Sequence, residues 1–97
     1  MEYFQYFVEF MGTLVLIYAL LLTDTNPTIM AIVYFAIFTV ADEYATGTFN
    51  PFGCVAYYMI GRLSLSETIY NIVAQLFAMQ AAVVTFLPAK AFIGDLY

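Results

Sequence analysis

Two long apolar runs, over residues 4–22 and 69–87, decide what this chain can fold into. As helices rising about 1.5 Å per residue, each reaches across the roughly 30 Å hydrocarbon core of a bilayer. The first is interrupted only by Gln5, Glu9 and the small pair Gly12-Thr13, and Pro88 is expected to end the second. A shorter run over 27–41 needs Asp42 to Tyr44 to complete a crossing, which extends the expected helix to about 27–44. Only 9% of the 97 residues are charged and 65% are hydrophobic, whereas soluble domains carry about 25% charged residues. Such a chain cannot cover a water-facing surface. The expectation is one all-α membrane domain over 1–97, with a short tail at 88–97.

Charge narrows the partners further. The net charge is −5, and Arg62 and Lys90 are the only cations. Nucleic acid and anionic headgroups both call for clustered Lys and Arg, so neither is expected. The bilayer itself is the first expected partner. A lone Cys54 excludes an internal disulfide. The start, Met1-Glu2-Tyr3, is acidic where a signal peptide is basic, and no small-residue cleavage site follows, so the first segment is expected to be a retained helix.

Local chemistry sets the helix starts. Asn26-Pro27 places an N-cap before a proline at the first helical position, where its missing N–H does no harm. Ser64-Leu65-Ser66-Glu67 reads as a capping box opening a helix at about 65–87. Asn50-Pro51 repeats the cap-then-proline start, but its apolar stretch stops at Gly61-Arg62. A helix over about 51–60 covers roughly 15 Å, half the hydrocarbon core. One reading is an interfacial helix or loop. The other is a re-entrant half-helix starting near the midplane, which requires the preceding loop backbone to be buried or solvated. The fold expected is thus three transmembrane helices plus one re-entrant half-helix, with Ala45 and Arg62 on the same side.

At this point the motifs resemble a known family. Glu9-Phe10-Met11-Gly12-Thr13 resembles the E-x-x-G-T signature of the major intrinsic proteins, the aquaporins and glycerol facilitators. Thr46-Gly47-Thr48-Phe49-Asn50-Pro51 is similar to their S/T-G-x-H-x-N-P-A loop. Tyr70-Asn71-Ile72-Val73-Ala74-Gln75, followed by Ala78, is similar to their Y-x-x-x-A-Q-x-x-G-A pattern. Order and spacing agree across residues 9 to about 82. The resemblance implies half of an aquaporin-like fold, because family members join two such halves in one chain. The departures are concrete. Phe52 stands where the family has Ala, the loop is one residue shorter, the chain has no His, and Gly53 occupies the place matching the family's filter Arg.

The resemblance assigns roles residue by residue. Gly47, Asn50, Pro51 and Phe52 would form the half-helix motif, with the Asn50 amide and the helix dipole facing a permeating molecule at the pore centre. Read without the family, Asn50 caps its own helix. Glu9 would accept backbone N–H groups from the loop, since an ionised carboxylate inside a membrane helix costs roughly a few kcal/mol. Alternatively it snorkels from near the helix start. Thr13 lies one turn along the same face. Gln75 is expected to hydrogen-bond loop carbonyls, because an unpaired amide in hydrocarbon is costly. Gly12, Ala74, Ala78 and Ala82 are small residues suited to close helix packing. Tyr3, Tyr6, Tyr57, Tyr58 and Tyr97 suit interfacial belts, while Asp24, Asp42 and Glu43 fall in solvated turns.

No metal-ligand cluster, nucleophile–base pair or phosphate loop is apparent, so neither enzyme activity nor a cofactor is expected. Three crossings and a half-helix do not enclose a pore. A path needs a second half-domain, from another copy or another chain, inserted oppositely. Arg62 and Lys90 fall on opposite sides of this topology, so the positive-inside rule barely chooses an orientation. The leading expectation is a structural or accessory subunit of a larger membrane assembly, with Phe52 filling the former pore. The second is a half-channel that pairs to conduct water or a small neutral solute. A third is a small dual-topology proton-coupled transporter using Glu9.

Overall fold

The computed structural model describes residues 2–42, 44–45 and 48–96, with the backbone alone for 2 and 93–96. Every regular element among them is a helix: α1 (Glu2–Leu22), α2 (Pro27–Ala41), α3 (Pro51–Met59) and α4 (Leu65–Leu96). Two of these, α1 and α4, are long and apolar enough to cross a membrane, and α2 is a shorter apolar helix.

The capping chemistry works as the residues dictate. Asn26 Oδ1 accepts from the Ile29 N–H at 3.0 Å, with Pro27 at the first helical position. At α4 the capping box closes both ways: the Glu67 N–H reaches Ser64 Oγ at 3.1 Å, and the Ser64 N–H reaches Glu67 Oε1 at 3.0 Å. Each bond satisfies a backbone donor that the helix start leaves orphaned. Between α1 and α2 the chain reverses within four residues, and Asp24 and Thr25 take positive φ to do so. Between α3 and α4, Gly61 at φ +82° makes the turn a side chain would strain, and buried Leu63 anchors it.

The expected end of α4 at Pro88 is corrected. The helix continues through Pro88 to Leu96, and the expected tail is its last turns. Proline removes one N–H bond and crowds the preceding turn of its own helix, costs that α4 carries at an exposed Pro88. The other boundaries shift less: α1 begins at Glu2, α2 ends at Ala41 and α3 at Met59.

Contacts fix the directions of the helices. Tyr6 meets the Tyr70 ring edge-on at 5.4 Å, Glu9 is bonded by Gln75, and Tyr18 is bonded to Thr85. Ascending numbers pair with ascending numbers, so α1 and α4 run parallel. α2 returns antiparallel to α1, which brings Tyr44 edge-on against Phe4 at 5.6 Å. Its Met30, Val33, Tyr34 and Ile37 pack on a small core of Leu16, Ala41 and Phe49. The chain then turns inward, so that Phe49 and Asn50 stand level with Glu9 and Thr13 before α3 returns toward the start of α4.

Candidate functional site

The site is a polar knot where the loop before α3 meets α1 and α4. Glu9 lies wholly buried at its centre. Its Oε1 accepts the Gln75 amide at 3.1 Å, the Thr48 hydroxyl at 3.3 Å and the Phe49 N–H at 3.4 Å. The last bond is the backbone contact the sequence led us to expect of this carboxylate. It ties a loop of irregular backbone to a regular helix, and a buried acceptor met by several donors is the condition under which such a group is tolerated.

Thr13 donates to the Phe49 carbonyl at 3.4 Å, one turn further along α1. Phe49 is thus held at both its backbone groups. Gln75 departs from its expected role. Its Nε2 reaches Glu9, the Thr48 hydroxyl at 3.4 Å and the Cys54 sulfur at 3.2 Å, all side chains, not loop carbonyls. The reason is geometric: the loop turns its carbonyl at Phe49 toward Thr13 and that at Thr48 toward Asn50, leaving side-chain acceptors in front of the amide.

Asn50 serves its own helix and loop. Its Oδ1 accepts the Gly53 N–H at 2.6 Å, an N-cap, while its Nδ2 donates to the Thr48 carbonyl at 2.9 Å. Pro51 occupies the first helical position as expected. Phe52 does not fill space within the chain: it is 87% exposed, because it points from the first turn of α3 away from α1 and α4. Gly47, the remaining motif residue, lies outside the described residues, as do Glu43 and Tyr97. Gly53 has no room for a side chain, since a Cβ there would lie 2.8 Å from that of Thr48.

The small residues sort into close contacts and bystanders. Gly12 receives the face of Phe49, where a Cβ would stand 2.6 Å from Cδ1 and 2.9 Å from Cζ. Ala78 and Ala82 are fully buried, while Ala74 is only half-buried. The buried strip of α4 runs Thr68, Asn71, Gln75, Ala78, Ala82, a three–four spacing that leaves Ala74 at its edge. That is the spacing of a single helix face, turned here toward α1 and α3.

Sequence reasoning missed three residues. Phe49 is the aromatic that packs the interior: 3% exposed, stacked on Phe38 at 5.8 Å, and held at φ +54°. Positive φ is a genuine outlier for a bulky residue, sustained here by its two backbone bonds and by Gly12. Thr48 and Cys54, both buried and 3.0 Å apart, complete the knot. Nothing in their spacing marked any of the three.

Beside the knot, at the N-terminus of α3, lies a cavity of about 160 Å³ lined by Thr13, Leu16, Tyr34, Asn50 and Gln75 among others. Gln75 Oε1 has no hydrogen-bond partner among the described residues. No family model, curated protein or solved structure matches the chain.

Proposed function

We propose that this chain is an aquaporin-like half-domain, an integral membrane protein that serves as a structural or accessory subunit of a larger membrane assembly. Membrane residence is supported by the helix surfaces. Only 22% of the apolar window of α1 and 17% of that of α4 are buried, where the core helix of a soluble protein would be mostly covered. The exposed remainder is rich in Phe, Ile, Leu and Val, at home in lipid. The three-crossing topology is supported by parallel α1 and α4, and the re-entrant reading of α3 by the level of Asn50 opposite Glu9 and Thr13. The loop bonded by Glu9 then meets the demand that non-helical backbone at depth be satisfied by protein.

Phe52 carries the choice of function. A large ring at the mouth of the half-helix, 87% exposed and detached from its own chain, is an anchor for a neighbouring subunit, and aromatic anchors dominate interfaces. The Asn50 amide, meanwhile, is engaged by Gly53 and Thr48. The test is osmotic shrinkage of liposomes containing purified protein. Shrinkage should match that of empty liposomes for water and for glycerol. Permeability well above that, abolished by Asn50→Ala, overturns the structural reading.

The half-channel is a second reading, favoured by the cavity at the α3 N-terminus, which Asn50 and Gln75 both line. A second, oppositely inserted half would have to extend that cavity into a path. A proton-coupled transporter is less well supported, because Glu9 is wholly buried in bonds that hold the fold.

A further inference from the structure

The outer face of α4 carries a feature that neither half-domain reading uses. Val73, Leu76, Phe77, Gln80, Val84 and Leu87 form one exposed stripe. Residues 73, 80 and 87 recur every seven, as do 77 and 84, which is the spacing that keeps a seam facing one partner helix. The stripe lies nearly opposite the buried strip of Asn71, Gln75 and Ala78, so whatever covers it leaves the packing on α1 and α3 undisturbed. Gln80 sits at its centre, in a surface groove of about 230 Å³ formed with Val73, Leu76 and Phe77.

Depth makes this glutamine costly. Gln75 stands opposite Glu9 and Thr85 opposite Tyr18, so Gln80 is level with the middle of α1. With α4 in a bilayer, its amide faces hydrocarbon near the midplane, and it makes no hydrogen bond to any described residue. An unpaired amide there costs several kcal/mol in principle, and membrane helices relieve it by pairing across an interface.

We infer that α4 pairs with α4 of a second copy of this chain, in parallel, about a reciprocal Gln80–Gln80 hydrogen bond. The occupant follows from the chemistry. A primary amide carries both donor and acceptor, so two copies related by a twofold axis along the helices satisfy each other with no other residue needed. In a parallel pair every position of the stripe meets its own copy, Val73 with Val73 and Leu87 with Leu87, whereas an antiparallel pair would match Gln80 alone. The stripe contains no charge, so no charge complementarity selects a foreign helix over a second copy. Such pairing needs both copies inserted in one orientation, unlike the opposed second half of the half-channel reading. It rests on the bilayer placement of α4 and not on any resemblance.

The test uses the full chain in liposomes, labelled at the N-terminus, with energy transfer followed as the protein-to-lipid ratio rises. Wild type should show concentration-dependent transfer between N-terminal labels, and much less between N- and C-terminal labels, which lie at opposite ends of a parallel pair. Gln80→Leu should weaken association about five- to tenfold, while Gln80→Asn, which keeps the amide, should retain most of it. Leu76→Trp, on the same stripe, should also weaken it, whereas Ile32→Trp on the outer face of α2 should not. Helicity of each variant, read by circular dichroism, should stay at the wild-type level. The inference is overturned by a monomeric wild type at high protein-to-lipid ratio, by association of Gln80→Leu equal to wild type, by stronger N-to-C transfer, or by an equal effect of Ile32→Trp.

Discussion

Replacing Gly12 by alanine should destabilise the protein, against the usual direction of that change in a helix. Alanine is favoured over glycine in a helix interior by about 1 kcal/mol. The new methyl, however, would enter the space of the Phe49 ring, 2.6 Å from Cδ1. The ring cannot retreat: Phe38 is stacked behind it at 5.8 Å, and its N–H and carbonyl are held by Glu9 and Thr13. Overpacking of this kind costs about 1–3 kcal/mol. With a ring so confined the upper part of that range applies, leaving a net loss of about 1–2 kcal/mol. The decisive comparison is a double-mutant cycle. Phe49→Ala alone should cost about 3–5 kcal/mol, and in that background Gly12→Ala should become neutral or stabilising by up to about 1 kcal/mol. The assay is reversible unfolding in mixed micelles, followed by circular dichroism as denaturing detergent is titrated. A Gly12→Ala protein more stable than wild type, or additive single and double variants, would refute the reasoning.

Three further outcomes follow from the same contacts. Glu9→Leu should cost about 3 kcal/mol or more, because it strands the Thr48, Phe49 and Gln75 donors together; Glu9→Gln keeps an acceptor and should lose less than half as much in the same unfolding assay. Phe52→Ala should leave the stability of the isolated chain within about 0.5 kcal/mol, as expected of an exposed residue; a loss of several kcal/mol would mean the ring packs inside the chain after all. Cys54 is fully buried, so a maleimide should leave it unlabelled in mild detergent and label it only after unfolding, and prompt labelling of the native protein would contradict the closed knot.

Helix existence was legible because it depends on local chemistry. Asn26, Asn50, Ser64 and Glu67 cap their own helices whatever surrounds them, and the apolar runs that became α1 and α4 are visible by length. Pro88 misled because the missing N–H bond and the crowded preceding turn disfavour a helix without forbidding it, and α4 continues through both. Gln75 was recognised as a buried amide but given the wrong partners, since which acceptor faces it depends on how the loop turns its carbonyls.

The sequence by itself determined the four helices and the starts of α2, α3 and α4, because capping and the length of an apolar run are properties of short stretches. Only the tertiary structure decided that Phe49, and not Phe52, enters the interior. Both aromatics flank Asn50-Pro51 and look equivalent in one dimension. Their directions are set by the positive φ at Phe49, sustained by bonds to Glu9 and Thr13 and by the vacancy at Gly12, while Phe52, on the first turn of α3, is carried outward by helix geometry. Contacts between residues 36 to 40 positions apart fix that choice, and no local rule contains them.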